Sequence, residues 1–161
     1  MKELLNKLSS YDFFNCVLPG VVFVALADPF AGYSFTHDDL LVSAFLYYFI
    51  GLVIGRFGSL VIEPSLKRLG FLHFADYEDF VAASKKDEKI EVLSETNNTY
   101  RTVCAMLFLL LFLKLYGWLS ASLPGLQAWD PVLLITVITV MFVLAHRKQT
   151  AYIAQRIKVN E

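Results

Sequence analysis

Charged and polar residues inside long apolar runs are the positions in this chain best suited to chemistry. Arg56 and Glu63 lie in the apolar stretch 40–64, seven residues apart, so a helix would bring them to roughly the same face. An ionisable side chain at membrane depth is costly and normally faces a partner, a water-filled cavity or the interface. The spacing therefore predicts that Glu63 neutralises Arg56.

Other polar residues fall in the flanking apolar runs, with Asp12 and Asn15 expected at nearly the same depth. Two interpretations remain open. These residues lock helices together near the interface, with the threonines bonding back to their own helix, or they line or gate a cavity in a ring of subunits. The pore or gate candidates are Arg56, Glu63, Asp12, Asn15, Thr136 and Thr139.

Small residues recur every four positions in the same stretch, at Gly51, Gly55 and Ser59, and Gly58 widens the stripe. Helices in lipid associate through close backbone approach, which small residues at this spacing permit. The stripe therefore predicts a helix-packing interface through which copies of the chain assemble.

Basic residues cluster in two segments outside the apolar runs. Most such residues follow from membrane topology and attract anionic lipid. Repeated by symmetry, they would also form a ring that binds the phosphates of a nucleotide or of short single-stranded DNA, although neighbouring acidic residues partly cancel this field. The ligand-binding candidates are Lys67, Arg68, Lys85, Lys86, Lys89, Arg147 and Lys148.

Catalytic and metal-binding patterns are not evident in the sequence. It has no glycine-rich phosphate loop, no nucleophile elbow and no histidine pair at metal-ligand spacing. Cys16 and Cys104 lie in apolar stretches and imply neither a disulfide framework nor a zinc site. We therefore expect no enzyme activity, no metal and no cofactor.

The composition is that of a membrane protein, with 57% hydrophobic and 18% charged residues. Apolar runs long enough to cross a bilayer predict an all-α fold in a single membrane domain, 1–161. Pro64 is expected to end the second helix. The helices are predicted at about 13–27, 40–63, 102–119 and 131–145.

The segment 65–100 is the only long polar stretch, and its periodicity predicts two short amphipathic helices with Gly70 as a breaker. Such a segment is too small for its own core, so it should pack against copies of itself or a partner. Of the four spans, the third is so uniformly apolar that we expect it to face lipid. The shorter first and fourth spans are expected inside the assembly.

Positive charge is confined to the N-terminus, the segment 65–100 and the C-terminus, while the loops 28–39 and 120–130 have no lysine or arginine. Because cytoplasmic segments are enriched in these residues, both termini and the segment 65–100 are predicted to be cytoplasmic. We therefore expect a multi-pass membrane protein with both termini in the cytoplasm.

The overall pattern resembles the small four-helix membrane proteins found beside signalling enzymes in bacterial antiphage systems. The resemblance rests on DFFN before a helix containing Pro19-Gly20, on GLVIGRFGSLVIEP at 51–64, and on HFADYEDFVAASKKDEKIEVLSETNNTYRT at 73–102. It is a general likeness, greatest to the channel effector of the Hailong system, with the Kiwa membrane subunit as second candidate. It implies a homotetramer whose opening depolarises the inner membrane, and a cytoplasmic ligand site.

The residues predict an oligomeric pore or ion channel gated by a cytoplasmic anionic ligand such as a nucleotide or short DNA, and the resemblance implies that it lies in the bacterial inner membrane and is an antiphage defence effector. The alternative is a membrane anchor or sensor subunit that recruits a soluble partner protein through 65–100 and does not conduct. A transporter is disfavoured by the small size and by the absence of recognisable internal repeats.

Overall fold

The computed structural model describes residues 13–160 of the chain, and this described part is all-α, 84% helical and without strands. Its elements are α1 (Phe13–Ala31), α2 (Leu40–Arg68), α3 (Tyr77–Ser84), α4 (Lys89–Ser122), α5 (Pro124–Gln127) and α6 (Asp130–Asn160). The helices α1, α2, α4 and α6 are each long and apolar enough to cross a membrane, so the prediction of an all-α fold with four candidate membrane spans is confirmed. The orientation in the membrane stays a prediction.

Local signals explain where the loop between α1 and α2 begins and ends. Gly32 ends α1 in the left-handed conformation, φ 77°, a backbone region that favours glycine. Asp39 begins α2, because its carboxylate accepts hydrogen bonds from the N–H groups of Leu41 and Val42 at 2.8 and 3.0 Å. The first span therefore continues to Ala31, one turn beyond the predicted end.

The prediction that Pro64 ends the second helix is wrong, since α2 continues to Arg68. A π-helical turn, Gly58–Ile62, precedes the proline, and in it the N–H of Glu63 bonds to Gly58, five residues back. Such turns redistribute backbone hydrogen bonds around a residue that cannot donate one. The proline is accommodated inside the helix rather than at its end.

The third and fourth helices are also much longer than the predicted spans 102–119 and 131–145. In α4, the Thr99 and Thr102 hydroxyls donate to carbonyl oxygens four residues back, so these polar residues stay helical. The second short helix expected in 65–100 is therefore the first part of α4. At about 1.5 Å per residue, α4 and α6 exceed the roughly 30 Å hydrocarbon core of a bilayer, so each extends beyond it.

The hydrophobic core is built from three of the four long helices. Its buried cluster comprises residues of α1 (Phe23, Val24, Ala27), α2 (Ile54, Ile62) and α4 (Ala105, Met106, Leu110). Helix α6 packs beside α2, where Phe49 stacks on Phe142 with ring centroids 6.1 Å apart. The buried share of the most apolar stretch differs between the helices: it is 33% in α1, 22% in α4 and only 11% in α6.

Within one chain, the first helix is the most enclosed of the four and the fourth is the least enclosed, while the third contributes one face to the core. Which spans lie inside an assembly stays a prediction. The buried face of α4 could not be inferred from the sequence, because the helix is apolar on all sides and both lipid and protein core accept apolar side chains. The short helix α3 packs on its own chain, with Val81 buried and Tyr77 beside Tyr152 at 6.4 Å between ring centroids.

Candidate functional site

Glu63 is the centre of a cluster of charged side chains at one end of the bundle. Its carboxylate is buried between α2, α4 and α6. Arg101 of α4 donates to Oε2 at 2.7 Å, Lys148 Nζ of α6 lies 3.6 Å from Oε1, and Lys67 Nζ lies 4.0 Å from Oε1. One carboxylate therefore holds three cationic groups, which we call the Glu63 cluster: Glu63, Lys67, Arg101 and Lys148.

The Glu63 cluster carries more positive than negative charge. Lys67 also lies over the ring of Phe74, 4.0 Å from its centroid, a second favourable contact for this cation. Within the described part of the chain, the buried Nε of Arg101 has no hydrogen-bond acceptor. The cluster therefore has more positive charge and more hydrogen-bond donors than Glu63 alone accepts.

Lys148 makes its shortest contacts with Ser59, inside the π-helical turn of α2. Its ammonium group donates to the backbone oxygen and to Oγ of Ser59, both at 2.8 Å. In an uninterrupted α-helix the Ser59 carbonyl would accept from the N–H of Glu63. Here that N–H bonds to Gly58, and Pro64 at the next position has no N–H, so the carbonyl is left for Lys148.

The predicted ion pair between Arg56 and Glu63 is wrong. Glu63 pairs with Arg101, Lys148 and Lys67, whereas Arg56 forms no ion pair or hydrogen bond within residues 13–160. Seven residues of helix separate the two Cα atoms by about 10 Å, and the intervening π-helical turn changes the rotation that would align their faces. Glu63 therefore meets cations of other helices at its own depth.

Arg101 and Lys148 were overlooked as partners of Glu63, although the sequence contains a signal for them. Glu63 closes the second apolar run, Arg101 stands just before the third, and Lys148 follows the fourth by three residues. Consecutive antiparallel spans place these three positions at the same membrane depth. Pairing opposite charges that lie at the same depth in different helices would have predicted the cluster. Pairing charges by their spacing within one helix predicted the wrong partner for Glu63.

The other pore or gate candidates lie in different surroundings. Asn15 is buried in α1, and its Oδ1 is 3.5 Å from the hydroxyl of Thr102 on α4. Thr136 and Thr139 are exposed on α6, and neither hydroxyl makes a hydrogen bond within the described residues. Asp12 lies outside the described residues. The structure thus brings Glu63 to the cluster and leaves the two threonines apart from it.

The small residues of α2 pack against helices of the same chain. A Cβ on Gly51 would lie 1.7 Å from the backbone oxygen of Cys16 in α1, and a Cβ on Gly58 would lie 3.2 Å from Ala105 in α4. Ser59 binds Lys148 of α6. The interface that was expected between copies is therefore occupied by α1, α4 and α6. Among the described residues, a Cβ on Gly55 would meet only the backbone oxygen of Asn15, at 3.9 Å.

The basic residues proposed for ligand binding divide into two groups. Lys67 and Lys148 belong to the Glu63 cluster, and Lys148 is half-buried. The remaining members are exposed and lie at the end of α2, around the α3–α4 connection and on α6: Arg68, Lys85, Lys86, Lys89 and Arg147.

The chain matches no family model, no curated protein and no solved structure. The geometry of the Glu63 cluster is therefore the basis for a function.

Proposed function

We propose that this protein is an oligomeric membrane pore whose open and closed states are controlled by an anionic ligand at the Glu63 cluster. The supporting observation is the ratio of one buried carboxylate to three cations within 4.0 Å. Nucleotide or single-stranded DNA phosphates supply the negative charge that this cluster lacks. The ligand would act from the cytoplasm, where the positive charges of the sequence predict the cluster to lie.

The proposed switch is the contact between α6 and α2. Lys148 joins the least enclosed helix to Ser59 and Glu63, so an anion that draws Lys148 away weakens this contact. A ligand shifts a conformational equilibrium only through its different affinities for the two states. Here the state with α6 released would bind the anion more tightly, because Lys148 is then free to contact it.

Ion flux from liposomes tests the proposal. Purified protein is reconstituted, and the release of a trapped fluorescent ion indicator is followed before and after addition of ATP or a short oligodeoxynucleotide. The variant Lys148→Met should conduct without ligand, because the contact of α6 with Ser59 is lost. Arg147→Met removes a neighbouring exposed cation on the same helix and should behave like the unmodified protein.

The pore would be refuted if neither the unmodified protein nor Lys148→Met gave ion flux under any condition while crosslinking confirmed a stable oligomer. Equal flux from the Arg147→Met and Lys148→Met variants would refute the switch, because general loss of basic charge would then explain both.

A second candidate, the anchor or sensor that recruits a soluble partner, is favoured by the ends of α4 and α6. Both helices extend beyond the length that spans a bilayer, and their charged ends expose apolar side chains: Val92, Leu93, Ile153 and Ile157. If liposomes stay silent, this candidate predicts that replacing Leu93 and Ile157 with serine abolishes recruitment while the membrane domain stays folded.

A further inference from the structure

The contacts of Lys148 define a small site made of oxygen atoms. Its ammonium group is surrounded by the Ser59 carbonyl oxygen and Ser59 Oγ at 2.8 Å each, and by Glu63 Oε1 at 3.6 Å. The ring of Tyr152 lies on another side, with its centroid 5.6 Å from Nζ. A backbone carbonyl, a hydroxyl, a carboxylate and an aromatic face all favour a cation.

The site exists because the backbone of α2 is interrupted. The π-helical turn and Pro64 together leave the Ser59 carbonyl without a backbone donor, as described above. In membrane proteins, carbonyl oxygens released where a helix departs from α-geometry coordinate monovalent cations, commonly beside a carboxylate. Here the position of the ion is filled by a side chain of the same protein.

We infer that Ser59 and Glu63 form a binding site for a potassium-sized monovalent cation, and that Lys148 is a tethered cation that occupies it. An ammonium group and a potassium ion have similar radii, so oxygen atoms at 2.8 Å from Nζ suit both. Arg101 engages Oε2, while Oε1 of the same carboxylate faces the site, 3.6 Å from Lys148 and 4.0 Å from Lys67. The site is a property of α2 and is independent of whether the protein conducts.

Occupation by Lys148 depends on α6 staying beside α2. Since α6 is the least enclosed long helix, the contact is the one most easily lost, and its loss would expose three oxygen ligands together. A free cation would then replace the ammonium group as the partner of the Ser59 carbonyl, because a carbonyl away from water without a partner is costly. Release of α6 and cation binding would thus be coupled.

Removal of the tethered cation is the direct test. The purified Lys148→Met protein is titrated with rubidium as a potassium analogue, and its thermal unfolding is compared in potassium, sodium and choline chloride at a constant ionic strength of about 0.1 M. We expect saturable binding of one rubidium ion per chain, and a melting temperature higher by about 4 °C or more in potassium than in choline. The unmodified protein should show neither effect.

Two controls distinguish the site from general ion effects. The double variant Glu63→Gln with Lys148→Met should lose rubidium binding, because the carboxylate is gone, whereas Lys158→Met, which removes an exposed cation of the same helix, should resemble the unmodified protein. Equal stabilisation of Lys148→Met by all three salts, or absence of rubidium binding by the folded variant, would overturn the inference. If Lys148→Met does not fold in choline, recovery in potassium supports the site, and failure of every monovalent cation to restore folding refutes it.

The binding experiment needs no ion flux. Rubidium binding without ion flux from liposomes would support the cation site and refute the pore. Ion flux without rubidium binding would support the pore and refute the cation site.

Discussion

Helix α2 makes two very different contacts with its neighbours. Against α1 it packs backbone to backbone, since Gly20 faces Tyr47 and Gly51 faces Cys16 with no room for a Cβ. Against α6 it is joined by a lysine that reaches one freed carbonyl, one hydroxyl and one carboxylate. The close backbone contact between α1 and α2 has no spare volume, so it has one arrangement. The side-chain contact between α2 and α6 depends on hydrogen bonds, so an ion or a ligand is able to replace the lysine.

The difference teaches that small residues and charged residues have separate roles in this chain. The glycines fix α1, α2 and α4 as a rigid unit around the buried cluster at Ile54 and Ala105. The charged residues attach α6 to that unit at one end, in addition to the stacked rings of Phe49 and Phe142. We therefore expect substitutions at the first contact to unfold the protein, and substitutions at the second to release a helix.

The largest expected effect is that of Gly51→Ala. Its Cβ would lie 1.7 Å from the Cys16 oxygen and 2.5 Å from the Cys16 carbonyl carbon, so the backbones must separate. We expect a loss of more than about 3 kcal/mol in the free energy of unfolding, measured by circular dichroism during titration with sodium dodecyl sulfate in mixed micelles.

The matched control is Gly55→Ala, four residues along the same helix, where the nearest atom would be 3.9 Å from the new Cβ. It should be neutral or stabilising by about 0.5–1 kcal/mol, because alanine is the better helix former. Equal stability of the two variants would mean that α1 and α2 are not in close backbone contact.

Glu63→Gln should have the next largest effect. The substitution keeps the shape of the side chain but leaves Arg101 and Lys148 without their shared carboxylate, so cationic groups repel at short range. We expect the free energy of unfolding to fall by about 2 kcal/mol, the usual scale for losing a hydrogen bond to a charged group. Glu91→Gln, at an exposed position of α4, is the control and should change the free energy of unfolding by less than about 0.5 kcal/mol.

If Glu63→Gln is as stable as the Glu91→Gln control, the cluster does not hold α2, α4 and α6 together, and the proposed switch loses its basis.

Ser59→Ala should weaken only the attachment of α6. It removes one of the two acceptors at 2.8 Å from Lys148 and leaves the backbone carbonyl in place. The expected loss is about 1 kcal/mol, together with faster amide hydrogen exchange in α6 than in α1. Ser65→Ala, at an exposed position of the same helix, should leave both measurements unchanged. Exchange that accelerates equally in α1 and α6 would contradict the separation of a rigid unit from an attached helix.

Tyr116→Phe should have the smallest effect, and it tests the other end of α6. The Tyr116 hydroxyl of α4 donates a hydrogen bond to the carboxylate of Asp130, the first residue of α6. We expect a loss of about 0.5–1 kcal/mol, measured in the same titration, against no change for Tyr100→Phe on the exposed side of α4. A loss larger than that of Ser59→Ala would place the main attachment of α6 at Asp130 rather than at the Glu63 cluster.

The sequence by itself determined the class of structure. Apolar runs long enough to cross a bilayer, separated by polar segments, lead to four long helices, because in lipid each backbone N–H must bond within its own segment. The end of α1 near Gly32 and the beginning of α2 at Asp39 also follow from local chemistry. The second span was accordingly predicted to begin at residue 40, where α2 begins, whereas the predicted end of the first span at residue 27 missed the glycine cap by one turn.

The tertiary structure decided the partners. Glu63 pairs with Arg101 and Lys148 instead of Arg56, and these partners are distant in sequence. Arg101 lies 38 positions from Glu63, and Lys148 lies 89 positions from Ser59, which accepts its hydrogen bonds. The assignment of the glycine stripe to α1 and α4 rather than to another copy, and the exposed position of α6, likewise depend on how helices meet. A bilayer offers little hydrophobic preference between lipid and protein, so apolarity does not tell which face is buried. Shape and charge at a common depth make that choice, and both exist only once the helices are packed.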